Sequence, residues 1–190
     1  MPEHDSTSGS NDVTTLLKAQ HERIRELFIE VINTKGDERK RHYHDLVRLL
    51  AVHETAEEEV VHPYARRHIE GGDDVVKARV SEEEKAKEVL AELEDLDPDS
   101  TEFLDKFATL HRDVVAHAEA EEREEFAHFD KAADRGTLQN LGRAVKAAEA
   151  LAPTRPHPGT DTAVKNLAVA PVATVIDRTR DALRRVMGEH

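Results

Sequence analysis

The chain has 190 residues, no cysteine and no tryptophan, 12 histidines, and a formal charge of -13 from 27 Lys and Arg against 40 Asp and Glu. Disulfides, thiolate metal sites and thiol nucleophiles are therefore excluded, and an acidic surface repels phosphate backbones, so no nucleic-acid partner is expected. No run approaches the roughly 18 apolar residues needed to span a bilayer, and the polar start Met1 to Asp12 lacks the apolar stretch of a signal peptide, which together point to a cytoplasmic protein with no membrane partner.

Residues 1–12 read as a disordered tail rich in Ser, Asp and Gly. Four helical patterns follow. The first runs from about Thr14 to Asn33, with Leu17, Ile24, Leu27, Phe28 and Val31 on one face, and Lys35-Gly36-Asp37 ends it. The second runs from about Glu38 to Ile69 with Leu46, Leu49, Leu50, Val60 and Val61 inward; Pro63 should kink it and Gly71-Gly72 stop it. The third covers about Asp74 to Leu96, with Val75, Val76, Ala86, Val89, Leu90 and Leu93 as its stripe. The fourth starts at the cap signal Asp99-Ser100-Thr101, carries Phe103, Phe107, Leu110 and Val114, and ends around Arg135-Gly136.

No alternating strand pattern competes with these. Short links between four long amphipathic helices predict an all-α fold, an antiparallel up-down four-helix bundle, over residues 13–136. Residues 137–190 read as a C-terminal helical appendage. Leu138 to Leu151 continues as helix, Pro153 to Gly159 is a stiff linker, and Val172, Val175, Ile176, Leu183 and Val186 mark a final amphipathic helix. Its apolar face must pack on the bundle or on a second copy, so the chain is a monomer or a dimer through that helix. With few aromatic residues, the core should be mostly Leu, Val, Ala and Ile.

Helices two and four contain the same phrase: His53-Glu-Thr-Ala-Glu57-Glu58 and His117-Ala-Glu-Ala-Glu121-Glu122. A spacing of four rises about 6 Å and overshoots one turn by about 40°, so each His and Glu share one stripe. That stripe is the apolar one. His53 and Glu57 align with Leu46, Leu49, Leu50 and Val60, and His117 and Glu121 align with Leu110 and Val114. Buried imidazoles and carboxylates are costly unless paired or bound to metal. Helix one adds His21 between Leu17 and Ile24. Helix three adds Glu83, which phase favours over Glu84, with Glu82 left open as the alternative. The collected candidate ligands are His21, His53, Glu57, Glu83, His117 and Glu121. Mixed imidazole and carboxylate donors suit Fe or Mn, with Zn a weaker fit. Two bridging carboxylates, Glu57 and Glu121, would hold two ions a few ångströms apart.

A rival phasing exists in Glu59-Val-Val-His62 and Glu125-Phe-Ala-His128, which have the Glu-x-x-His spacing of ferritin-like bundles. On helix two, however, Glu59 and His62 point away from the apolar stripe. Using them would turn that stripe outward at roughly 1.5–3 kcal/mol per Leu or Val. His62 is therefore expected at the surface, as are His42, His44, His68, His111 and His157. Tyr64 and His128, each 11 residues after its phrase's His, fall back on the inward stripe; packing at the bundle end is the favoured role for either, with a supporting shell around the ligands or the lining of a pocket as the alternative.

The stretch Leu16-Leu17-Lys-Ala-Gln-His21-Glu-Arg-Ile24, the two His-x-x-x-Glu-Glu phrases and His62-Pro63 resemble the hemerythrin-like HHE family. The resemblance covers roughly residues 13–132 and implies a four-helix bundle with His and carboxylate ligands to two irons, oxo- or hydroxo-bridged. Carried over by position, it supports His21, His53, Glu57, His117 and Glu121. The chain departs from the family at Ser81-Glu82-Glu83-Glu84-Lys85, where a His is usual, and at Ala127, where Pro is usual. The family spans O2 carriage, nitric oxide or iron handling, and redox chemistry on peroxide. An anionic Glu83 in place of His stabilises a ferric pair. The reading therefore leans to decomposition of H2O2, a catalase-like oxidoreductase. The alternatives are a module that binds or senses O2, NO or iron without turnover, and a metal-free scaffold that offers its last helix to a partner.

Overall fold

The computed structural model describes residues 12–151, and among them there is no strand. The elements are α1 (Val13–Asn33), α2 (Gly36–Ala56), α3 (His62–His68), α4 (Gly72–Glu94), α5 (Thr101–Glu121), α6 (Ala127–Ala132) and α7 (Arg135–Leu151). Two π-helical turns, Glu57–Val61 and Glu122–Phe126, join α2 to α3 and α5 to α6. Four long helical rods result: α1, α2–α3, α4 and α5–α6. Consecutive rods lie side by side, and α7 packs across α1, α2 and the first π turn. The polar tail up to residue 11, the Pro-rich linker and the anticipated final helix lie outside the described residues. No described helix is long and apolar enough to cross a membrane.

Local chemistry sets where the rods begin and end. The Asp12 carboxylate accepts the Thr15 N–H at 2.8 Å, and the Ser100 hydroxyl accepts the Phe103 N–H at 3.1 Å, so two otherwise orphaned first-turn amides are satisfied. Between α3 and α4, Gly71 takes φ +70°, a left-handed conformation that favours glycine. A Cβ on Gly72 would sit 2.3 Å from the Ala65 carbonyl oxygen, so the start of α4 can press on the end of α3 only without a side chain. The α1–α2 turn is stitched to the α4–α5 link by the buried Arg39. Its guanidinium donates to the carbonyls of Val31 and Pro98 at 3.0 and 2.9 Å and sits 2.9 Å from Asp99.

Two apolar clusters fill the interior. One gathers Leu17, Ala56, Val60, Val76, Phe126 and Phe129 with Leu141, Ala144, Val145 and Ala148 of α7. The other gathers Ile24, Phe28, Leu46, Leu50, Leu93, Phe103, Phe107 and Leu110. All five phenylalanines are fully buried, so the few aromatic residues carry more of the core than their number suggests. Each rod passes from one cluster to the other through a buried polar residue. His21 lies between Leu17 and Ile24, His53 between Leu50 and Ala56, Glu83 between Val76 and Leu93, and Glu121 between Val114 and Phe126. A polar layer thus separates two apolar cores.

The kink anticipated at Pro63 is a π turn that ends two residues before it. Proline lacks an amide hydrogen and crowds the carbonyl four residues back, which a widened turn relieves. The second π turn forms with Ala127 in the equivalent position, so proline is not required. Both turns share a fully buried carboxylate at their start, Glu57 and Glu121.

Candidate metal centre

The helical spacing of four puts His53 beside Glu57 and His117 beside Glu121, as the shared stripe requires. The separations are 3.2 Å from His53 Nε2 to Glu57 Oε1 and 3.3 Å from His117 Nε2 to Glu121 Oε1. His21 on α1 enters from the side. Its Nε2 is 3.3 Å from Glu121 Oε2 and 3.1 Å from the Nε2 of His53. Ligand atoms of His21, His53, Glu57 and Glu121 all lie within 4.8 Å of one another, and so do those of Glu57, Glu83, His117 and Glu121. The structure therefore brings together all six residues collected from the sequence, as two overlapping groups that share Glu57 and Glu121.

Three imidazoles are held by their outer nitrogens. His53 Nδ1 lies 2.7 Å from the Gln20 side-chain oxygen, His21 Nδ1 lies 2.8 Å from Glu122, and His117 Nδ1 lies 2.8 Å from Glu82. An acceptor at Nδ1 fixes the tautomer that carries its proton there, which leaves the Nε2 lone pair facing inward for a cation. The three consecutive glutamates of α4 thereby separate. Glu83 is buried in the layer, Glu82 backs His117, and Glu84, 66% exposed, faces solvent.

The two π turns correct three positions. His62, expected at the surface, is buried, with its Nε2 2.9 Å from Glu83 Oε1. Tyr64 and His128, expected on the inward stripe, do not reach the centre. The Tyr64 ring stacks on His68 and meets Phe129 edge-on, and His128 Nε2 bonds the His68 carbonyl. The physical reason is one extra residue per π turn, which rotates everything downstream by about 100°. The inward position moves from 64 to Ala65 and from 128 to Phe129, both buried, while His62 turns in. The Glu-x-x-His pairs are not used as pairs, since only one member of each is buried. Sequence reasoning also passed over Arg79, which is buried one turn before Glu83, on the stripe of Val76.

The electrostatics are those of a site built for positive charge. Both oxygens of Glu57, Glu121 and Glu125, one oxygen of Glu83 and Nδ1 of His62 are buried without a hydrogen-bond partner. Burial, with the nearby charges of Glu121 and Glu83, pushes the Glu57 carboxyl well above the carboxylate range. Burial also acts on Glu121, but the close approach of the His117 and His21 imidazoles outweighs it and holds that group well below the range. Burial and the neighbouring His21 push His53 down to about 3. Burial works against protonation of His117 as well, but Glu121 and Glu82 outweigh it and raise the imidazole to about 9. Unpaired buried carboxylates cost several kcal/mol each. Cations held between them would supply the missing partners, and imidazole with carboxylate is the donor set of iron or manganese. A cavity of about 350 Å³ adjoins the layer, lined by His53 and His117 together with apolar residues such as Ile24, Leu50, Val89 and Leu110.

Described residues that are helical throughout their regular structure, with such a layer, define the class of cation-binding helical proteins. Comparison with known proteins names the family. The hemerythrin HHE cation binding domain matches residues 12–129, and the chain belongs to that family. The crystal structure of a hemerythrin HHE cation binding domain-containing protein, the Rv2633c homolog from Mycobacterium kansasii, is similar in fold. Its TM-score is 0.66 at 18% identity, over 88% of this chain and 98% of that one. No curated protein matches the sequence.

Proposed function

We propose that the protein holds two iron ions in the polar layer and acts on a small oxygen-derived ligand, with decomposition of H2O2 ahead of reversible binding. This reading takes the four rods as an antiparallel up-down bundle. His21, His53, Glu57 and Glu121 would hold one ion, and Glu57, Glu83, His117 and Glu121 the other. The carrying observation is the set of buried carboxylates, Glu57, Glu83, Glu121 and Glu125, with oxygens that lack a hydrogen-bond partner. When bound, a pair of irons supplies two-electron redox change, which is what converting two H2O2 to O2 and two waters requires. The carboxylates bias such a pair toward its more highly charged state, because anionic donors stabilise the greater positive charge. Gln20, Glu82 and Glu122 hold three imidazoles in orientation, and the apolar lining of the cavity limits the water that reaches the layer.

A second reading, reversible O2 or NO binding, is favoured by that same apolar lining, where neutral gases partition well. Metal analysis and visible absorption of the protein purified without added metal, followed by peroxide assay, decide between the two. About two irons per chain, air-stable colour and fast O2 evolution support turnover. A reversible O2-dependent spectrum of the reduced protein without O2 evolution supports binding. One iron or none after growth in ample iron overturns both.

A further inference from the structure

Beyond the six residues already assigned to the layer, two more buried polar residues lie on the same rods, and one of them, His62, is turned inward by a π turn rather than by regular helical periodicity. His62 opens α3 directly after the first π turn, and Glu125 lies within the second. Both are buried, Glu125 completely. His62 presents Nε2 to Glu83 at 2.9 Å. Glu125 follows Glu121 by four residues on the same rod and has no hydrogen-bond partner for either oxygen. A buried ion pair with Arg79 would be the plain structural explanation of Glu125. Yet Arg79 pairs with Glu82 and Glu124 instead, at 3.1 and 3.5 Å, and leaves its own Nε without a partner. A buried carboxylate without a partner is costly, and a cation would supply the partner that Glu125 lacks.

We propose that His62, turned toward Glu83 by the first π turn, and Glu125, four residues after Glu121, are metal ligands at the position that Glu83 and His117 share with Glu57 and Glu121. The proposal rests on the two-iron reading and deepens it. Neither residue borders the cavity, which touches the layer at His21, His53, Glu83 and His117. His62 and Glu125 therefore close the back of the centre and leave open coordination facing the cavity. The two positions become unequal. Beside the shared carboxylates, one has His21 and His53, and the other has His117, Glu83, His62 and Glu125. The first π turn thus has a purpose that a regular helix could not serve, because residue 62, five positions after Glu57, would otherwise point about 140° away from it.

The test compares the full-length wild type with His62→Ala, Glu125→Gln and the control His42→Ala, whose imidazole pairs with Glu30 away from the layer. Iron per chain, ferrous-ion titration and helical circular dichroism are measured on each. Wild type and His42→Ala should hold two irons. His62→Ala and Glu125→Gln should each fall to about one, with the tighter site and the helix content unchanged. Glu125→Gln is decisive if His62→Ala loses helix, since it preserves shape and breaks no protein hydrogen bond. Two irons at wild-type affinity in both variants, or loss in only one well-folded variant, overturns the proposal and leaves the two-iron reading standing. Fewer than two irons in the wild type overturns both.

Discussion

At the scale of single residues, burial decides chemistry. Glu82, Glu83 and Glu84 are adjacent and identical, yet one holds an imidazole, one lies in the layer, and one meets solvent near Lys87. Helical phase separates them by about 100° each, so position 83 can be tested against its neighbour. In Glu83→His the layer loses one negative charge. Iron should be retained, the reduction potential should rise, and O2 evolution from peroxide should fall, while Glu84→His should match wild type in all three. Potentiometry with an oxygen electrode reads this directly. Unchanged behaviour in Glu83→His would remove the basis for favouring peroxide over reversible binding.

At the scale of elements, caps and turns matter more than propensity. α1 carries three residues of the layer region, Leu17, Gln20 and His21, and its register depends on the Asp12 cap. Burial opposes the Asp12 charge, but the Thr15 and Thr14 hydrogen bonds outweigh it and lower the carboxyl below its ordinary value. A group depressed in the folded state contributes stability that is present above its unfolded value and is lost as pH falls through the folded one. Asp12→Ala should therefore cost about 1 kcal/mol at neutral pH. The gap between variant and wild type should close as the pH falls below the ordinary aspartate range. Urea denaturation across pH, with the metal content held equal, would show it. A difference that does not change with pH would mean that the cap acts through something other than its charge.

α7 shows that the matched family region and the folded core are not coextensive. The family match ends at residue 129, yet Leu141, Ala144, Val145 and Ala148 complete the cluster around Phe126 and Phe129. α7 also reaches the layer, through the hydrogen bond from Gln20 to Glu149, and Gln20 in turn holds His53. An element read from the sequence as a continuation beyond the bundle is thereby joined to both the core and the centre.

At the scale of the whole molecule, the polar layer is a conditional part of the fold. Without cations, four carboxylates crowd an enclosed space between two apolar clusters. A ligand at about 1,000 times its dissociation constant adds about 4 kcal/mol, and in a chain of this size 1 kcal/mol moves the melting temperature by roughly 2–4 °C. Removing iron with a chelator should lower the melting temperature by roughly 8–16 °C, restored by ferrous iron and read by calorimetry. An unchanged melting temperature would mean that the layer is stable through its own hydrogen bonds alone.

The sequence by itself determined the helical rods and the six residues that gather between them. Apolar residues three and four apart, glycine punctuation and the Ser100 cap are local signals, and His-x-x-x-Glu on an apolar stripe is legible because periodicity within one helix is independent of its neighbours. The tertiary structure decided what lies beyond Glu57 and Glu121. A π turn has no composition of its own: one is followed by His62-Pro63, and the other contains Glu125-Phe126 and is followed by Ala127. The extra residue is favoured by what faces the rod from other rods, namely Ala65 and Phe129 packing with Val76 and Leu141, and His62 meeting Glu83. Those contacts join residues far apart in sequence, so no reading of one helix at a time could place His62 inside or Tyr64 and His128 out.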